Sequence, residues 1–379
     1  MGLGIFAVKI LNRMFRILIF LSIVCLSCTS NKNGGHVNAS HDDSIQTGSE
    51  DTLMYPQEKH LKNVRQLTFG GDNAEGYFSF NNDMITFQRR NKDENLPCDQ
   101  IFTGKIPAGN DPFSYTMVSN GKGRTTCSYF LPGNDKILFA STFAKIDTCL
   151  PDPDRSKGYL WGVYPSYEIY VADLKGNILQ QLTNNNFYDA EAVVSPKGDK
   201  ILFTSDRSGD LELWTMDLDG KNPKQITDGL GYDGGAFYSP DGSKIVFRAS
   251  RPQTEDEIKI YKDLLKEGYV KPTAMELYIC NADGSDLKQI THLGGANWAP
   301  FFHPSGNKII FSSNHVTKRI PFNLFMINID GTGLEQITYD SVFDAFPMFS
   351  YDGKKLVFAS NRNAGGTHDT NLFIADWVE

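Results

Sequence analysis

The sequence predicts an all-β protein assembled from internal repeats, and three observations predict it. One phrase recurs: YEIYVADLKGNILQQLT at 167–183, LELWTMDLDGKNPKQIT at 211–227, MELYICNADGSDLKQIT at 275–291 and NLFMINIDGTGLEQIT at 323–338. Each copy alternates with a turn (SPKGDK, SPDGSK, HPSGNK, SYDGKK) that leads into an apolar strand centred on phenylalanine (ILFTSDR, IVFRASR, IIFSSNH, LVFASNR). Aromatic residues make up 12% of the chain and glycines number 34, which suits short strands joined by tight turns. A repeat of this period cannot bury its apolar faces alone, so neighbouring units must stack.

Aligned on the phenylalanine strand, each unit yields four strands: an inner strand a, the phenylalanine strand b, the Leu/Ile-Tyr strand c and the Gln-Ile-Thr strand d. The a–b and c–d turns need residues that accept positive φ, hence Asp-Gly and Lys-Gly. Strand b is a continuous apolar run, as expected where neighbours cover both faces of a sheet. The first unit is read at Tyr77–Phe80, Met84–Gln88, Asp99–Thr103 and Ser114–Val118. The second is read at Cys127–Leu131, Lys136–Ser141, Glu168–Ala172 and Gln180–Thr183. The third runs from Glu191 to Thr227, the fourth from Gly235 to Thr291 and the fifth from Ala299 to Thr338. The sixth has Pro347–Ser350, Leu356–Ser360 and Asn371–Trp377 and then stops, one strand short. The missing wording stands at the N-terminus as Val64-Arg65-Gln66-Leu67-Thr68. The fold expected is a six-bladed β-propeller of four-stranded blades, its ring closed by an N-terminal strand, because an open array would leave an unpaired edge. The wording DxDG…QIT…SPDG…IxFxS resembles the TolB-type six-bladed β-propeller family over residues 61–379. The resemblance implies the fold. It also implies a place in the cell envelope, although TolB itself carries an additional N-terminal α/β domain where this chain has only a polar stretch.

Residues 1–28 read as an export signal of lipoprotein type: Arg13 and Arg16 precede the apolar run Ile17–Leu26, too short to span a bilayer. The run ends Cys25-Leu26-Ser27-Cys28, which resembles a lipoprotein box with Cys28 as the lipidated residue, although Cys25 and Leu26 depart from the favoured residues; an ordinary cleaved signal is the other reading. Residues 29–60, rich in Ser, Asn, Gly and Asp, read as a flexible tether. The expected location is therefore the envelope, lipid-anchored at the outer membrane and facing the periplasm. Net charge is −8, and the first 28 residues hold three cations and no acid, so the body is more acidic still; this argues against a nucleic-acid backbone as partner. In an oxidising compartment Cys127 and Cys149 are a possible disulfide, with Cys98 as a rival partner, and Cys280 alternates with apolar residues as a buried thiol.

Strand order places the b–c and d–a loops on one face, and that face holds the irregularity. The second unit's b–c loop spans about Phe143–Ser166 and the fourth's spans Arg251–Ala274. The latter predicts a helix: Thr254 with Glu257 forms a capping box, Ile258, Tyr261, Leu264 and Leu265 share a face, and Gly268 suits the stop. At the same mouth, aligned positions bring Asn73, Thr125, Asp189, Asp233, Asn297 and Asp344, and two residues on Glu75, Cys127, Glu191, Gly235, Ala299 and Phe346. The ends of strand b add Arg89, Arg90, Arg207, Arg251, His315 and Arg362. The candidate ligand residues are Glu75, Asp189, Glu191, Arg207, Asp233, Arg251, Asn297, Trp298, His315, Asp344 and Arg362. They would hold a zwitterionic or peptide-like ligand; alternatively they bridge blades by hydrogen bonds.

No G-x-S-x-G elbow, H-E-x-x-H or paired Cys-x-x-Cys occurs in the sequence. Related propellers include metal-dependent pectin-fragment lyases with several channel histidines. Here His292, His315 and His368 share the loop-rich face at unrelated offsets, which makes them weak metal candidates. The functional expectation is a non-enzymatic envelope scaffold that binds a protein or peptide partner at the loop-rich face and needs no cofactor. The alternative is a periplasmic carbohydrate- or peptide-processing enzyme, metal-dependent and lyase-like, with its site at the same mouth.

Overall fold

A computed structural model describes residues 53–379. The signal-like segment with Cys28, the tether up to residue 52, and His36 and His41 lie outside the described residues. Six four-stranded antiparallel sheets follow one another in chain order. Their inner strands are Asp72–Phe78, Thr125–Phe130, Asp189–Val194, Asp233–Tyr238, Asn297–Phe302 and Asp344–Phe349. The first two begin before the sequence-predicted Tyr77 and Cys127, because the polar residues that open them pair with the ends of the adjacent strands.

The sixth blade is completed from the other end of the chain. Leu61–Gln66 pairs antiparallel with Asn371–Trp377, as Leu61 opposite Trp377 and Gln66 opposite Phe373. The phenylalanine that marks each repeat is its core anchor: Phe87, Phe139, Phe203, Phe247, Phe311 and Phe358 are all fully buried between sheets. The Gln-x-Thr wording has an equally local cause. The threonine hydroxyl accepts the N–H that opens strand c, from Ile169 to Thr183, Leu213 to Thr227, Leu277 to Thr291 and Leu324 to Thr338, at 2.8–2.9 Å. The glutamine amide then donates to that threonine's carbonyl, as Gln225 does to Thr227 at 2.7 Å. The N-terminal copy does the same across the ring closure: Leu372 N–H donates to Thr68 Oγ1 at 2.8 Å, and Gln66 donates to the Thr68 carbonyl. In the degenerate first blade Ser119 takes the role, accepting from Ile101 N–H at 2.9 Å.

Adjacent a–b turns also interlock. A Cβ on Gly198 would meet Pro132, one on Gly242 Pro196 and one on Gly353 Pro304, so the proline of one turn packs on the glycine of the next.

Two sequence expectations need correction. The disulfide joins Cys98 to Cys149, with Cα atoms 5.7 Å apart, and not Cys127 to Cys149; Cys127 is a free thiol on the inner strand of blade 2. Residues 53–60, read as the end of the tether with a solvated His60, are seated on the ring. Buried Glu58 receives Arg362 at 3.0 and 3.2 Å, Tyr55 OH donates to Asp340 at 3.0 Å, and His60 stacks on Trp377. Arg362 accounts for this, because its buried guanidinium finds hydrogen-bond acceptors in this segment, the Glu58 carboxylate and the Leu53 carbonyl.

Candidate functional site

Every inner strand carries the same irregularity at its third aligned position. Pairing with strand b shifts register there, and the bulged residue lies in the left-handed region: Glu75 (φ 53°), Cys127 (45°), Glu191 (57°), Gly235 (56°), Ala299 (47°) and Phe346 (54°). A bulge re-aims a side chain that simple alternation would place elsewhere. Here it turns six residues toward the axis, where they ring a narrow constriction.

Above the constriction, on the loop-rich face, a cavity of about 380 Å³ opens. Its floor is a hydrogen-bonded cluster. Glu191 receives Arg248 at 2.6 Å, Tyr232 OH at 2.5 Å, Thr204 at 2.8 Å and the Gly235 N–H at 2.7 Å. The Arg248 guanidinium lies over Trp161, 4.8 Å from the ring centroid. Gly235 is glycine for this reason: a Cβ there would fall within 2.5 Å of the Arg248 Cζ. Arg248 is held protonated by Glu191 and its neighbours against the cost of burial, while burial pushes the Tyr232 hydroxyl well up.

One wall is aromatic, with Trp161 5.2 Å from Trp298 and Tyr159 6.1 Å from Trp298. Another part of the lining is charged. Arg90 pairs with Asp72 at 2.7 Å and Asp152 at 3.3 Å, and Arg124 pairs with Asp152 at 2.6 Å. Burial raises the carboxyl pKa of Asp99, against the pull of Arg90 and Arg124, and also raises that of Glu75. The Cys127 thiol is pushed far up, first by burial and then by the Glu75 charge, which makes it a poor nucleophile.

The two insertions make the rim. Trp161–Gly162 from blade 2 pairs antiparallel with Tyr269–Val270 from blade 4, and Val163 N–H donates to the Gly268 carbonyl at 2.8 Å. The first insertion is also anchored by the Cys98–Cys149 disulfide and by Asp152. The predicted helix is present as α1, Glu255–Lys266, with the Thr254/Glu257 capping box; it buries Tyr261, whose hydroxyl bonds Asp210. Trp298 is fixed by its indole N–H donating to the Pro272 carbonyl at 2.9 Å.

Of the sequence-predicted residues, Glu75, Glu191 and Trp298 line the cavity. The structure places the others inside single blades. Asp189, Asp233 and Asp344, all fully buried, pair with Arg207 at 2.7 Å, Arg251 at 3.0 Å and Arg362 at 2.8 Å. Asn297 and His315 occupy the same positions in blade 5, joined through Ser313 Oγ at 2.6 and 2.9 Å. His292 contacts Gln289 and His368 lies exposed in the last b–c loop, so the three histidines are not brought together. Among the described residues no group of three His, Cys, Asp or Glu is arranged to hold a metal ion.

Sequence reasoning did not select Arg248, Tyr232, Arg124, Asp99 or Asp152. Arg248 had a signal: it follows the phenylalanine of strand b, where the other units have Gln88, Ala140, Thr204, Ser312 and Ala359. Gly235 is likewise the only glycine at its aligned position, in the same blade as that arginine.

No protein-family model and no curated protein matches the chain. Among solved structures it is similar to a putative TolB from Agrobacterium tumefaciens, at 17% identity and TM-score 0.53, covering 82% of this chain and 91% of that one. It is similar to TolB from Acinetobacter baumannii at 18% identity and TM-score 0.52, covering 78% of this chain and 64% of that one. An oligogalacturonate lyase in complex with manganese is similar at 13% identity and TM-score 0.50, covering 83% of this chain and 93% of that one. At these identities the likeness is one of fold: this chain is a six-bladed β-propeller, similar in fold to the TolB structures.

Proposed function

We propose that this is an exported envelope protein, lipid-anchored through Cys28, that binds a protein or peptide partner at the loop-rich face of its propeller. The observation that carries the reading is the character of that face. Phe69, Tyr159, Phe187, Leu230, Val316 and Ile320, between 37% and 70% exposed, all stand in its d–a or b–c loops, and Tyr159 lines the cavity. Exposed apolar groups gathered on one rim are a mark of interaction surfaces. The two insertions hold the rim rigid, which lowers the ordering cost of binding.

A lyase-like metal enzyme at the same mouth is the less favoured reading. The histidines of that face stand apart, and among the described residues no group fits a metal centre, so no step through one is derived.

The test is a photo-crosslinking amino acid placed at Tyr159, with Leu179 on the outer strand of blade 2 as control, in cells producing the full chain. A discrete adduct from position 159 alone, lost when Trp161 is replaced by alanine, is the expected result. Identical adduct patterns from both positions would overturn the reading. Metabolic palmitate labelling that survives Cys28→Ala would overturn the anchor.

A further inference from the structure

We propose that the cavity recognises the cationic group of a peptide, an ammonium or guanidinium, seated between Glu75 and Asp99 and backed by the aromatic wall of Tyr159 and Trp161; this rests on the partner-binding reading above.

The argument begins with the charges. Among the described residues, five carboxylates line the cavity (Asp72, Glu75, Asp99, Asp152 and Glu191) against three arginines (Arg90, Arg124 and Arg248), with no other charged side chain. The arginines are already committed: Arg90 to Asp72 and Asp152, Arg124 to Asp152, and Arg248 to Glu191. Two carboxyls remain without an ion pair among the described residues. Glu75 is in contact with the Cys127 thiol and, at 3.4 Å, with the Tyr77 hydroxyl, and no side chain donates to Asp99. Arg90 and Arg124 act on Asp99, and Arg248 on Glu75, only from beyond ion-pair distance; a buried carboxyl without a direct partner is costly, and a ligand can supply that partner.

The surroundings decide what kind of cation fits. Among the described residues no three ligating side chains converge on these carboxyls, which argues for an organic cation over a metal ion. Tyr159 and Trp161 present ring surface on the same cavity, and such surface attracts ammonium and guanidinium groups. A second, independent observation points to a ligand with an acceptor as well. Arg248 is 8% exposed, lines the cavity, and keeps its Nε–H without an acceptor among the described residues. A peptide carries both features, a cationic group and nearby carbonyl oxygens. The cavity volume of about 380 Å³ suits one side chain or chain terminus and its adjoining backbone.

Two sources can supply the cation, a lysine or arginine side chain or the free amino terminus, and the test separates them. Four hexapeptides share one sequence and a C-terminal amide. Three are N-acetylated and carry lysine, norleucine or glutamate at the centre; the fourth is the norleucine peptide with its amino terminus free. Affinities for the full-length chain are read by calorimetric titration. The expected result is that the lysine peptide, or the free-amine peptide, binds at least tenfold more tightly than the acetylated norleucine peptide. The winner of the two identifies the source. Glu75→Gln and Asp99→Asn together should erase the preference, and each alone should reduce it, so the single variants serve if the double one fails to fold. Glu335→Gln, away from the cavity, should leave it intact. Tightest binding of the glutamate peptide, or a preference that survives in the double variant, overturns the proposal. Equal binding of all four overturns the cationic assignment and leaves the partner-binding reading standing. Failure of every peptide to bind at millimolar concentration overturns both.

Discussion

Gly235→Ala separates two causes that could each require glycine at the fourth bulge. The first is backbone conformation. At φ 56° an L-residue is disfavoured by about 1 kcal/mol, yet Ala299 occupies the equivalent bulge of blade 5 at φ 47°, so the fold tolerates alanine there. The second is Arg248. A Cβ at position 235 would sit within 2.5 Å of the guanidinium carbon, so the arginine must leave its place against Glu191 and Trp161. Breaking a buried ion pair by displacing one partner costs about 3–5 kcal/mol. The variant should therefore lose about 5 kcal/mol in total, or roughly 10 °C in Tm for a chain of this size. Thermal melts followed by circular dichroism measure the loss, and Trp161 fluorescence reports whether the guanidinium has left the ring. Gly235→Ala in an Arg248→Met background should cost only the backbone share of about 1 kcal/mol, because the collision is already gone. A loss of about 1 kcal/mol in the single variant, or equal losses in both backgrounds, would refute the assignment of Gly235 to Arg248.

Other predictions address the frame. Thr291→Val leaves the buried Leu277 N–H without its acceptor and Glu276 without a 2.6 Å donor, and should cost about 2–3 kcal/mol in chemical denaturation while Thr291→Ser stays within about 1. Removing residues 53–66 exposes the edge of Asn371–Trp377 and withdraws buried Leu61 and Val64. Burial of the two side chains alone accounts for about 3–6 kcal/mol, and an equally stable, monomeric truncation would show that the ring does not depend on its closure. Reduction of Cys98–Cys149, which closes 51 residues of separation, removes about 4 kcal/mol on the chain-entropy account, and should show as new protease cleavage within 144–160. Burial, then the Asp233 carboxylate, holds the Glu212 carboxyl above its ordinary value of 4.5. Its contribution to stability is thus full below that value and is lost as pH rises through the raised folded one. Glu212→Gln should gain on the parent chain across that interval, and parallel stability–pH curves would contradict it.

The aligned mouth residues show where reading by position stops. Asp189 and Glu191 stand two apart on one strand, and a period of two puts both on one face. The left-handed bulge at Glu191 breaks that period, so Glu191 enters the channel while Asp189 stays inside its blade against Arg207. Glu58 was hidden for a different reason: it sits in a polar stretch that reads as a tether, and its partner Arg362 is 304 residues away. The Cys98–Cys149 pairing likewise depended on how the blade 2 insertion folds back across blade 1.

By itself the sequence determined the blade and the number of blades. A turn that needs Gly, a threonine that accepts the next strand's N–H, and a phenylalanine wedged between sheets act over a few residues, so their repetition is visible in one dimension and the N-terminal Gln66-Leu67-Thr68 could be matched to the open sixth sheet. Only the tertiary structure decided which charged groups meet. The Arg248–Glu191 pair, the joining of Trp161–Gly162 to Tyr269–Val270 across two insertions, and the lack of an ion pair at Glu75 and Asp99 among the described residues arise between blades, where separation along the chain carries no information about distance.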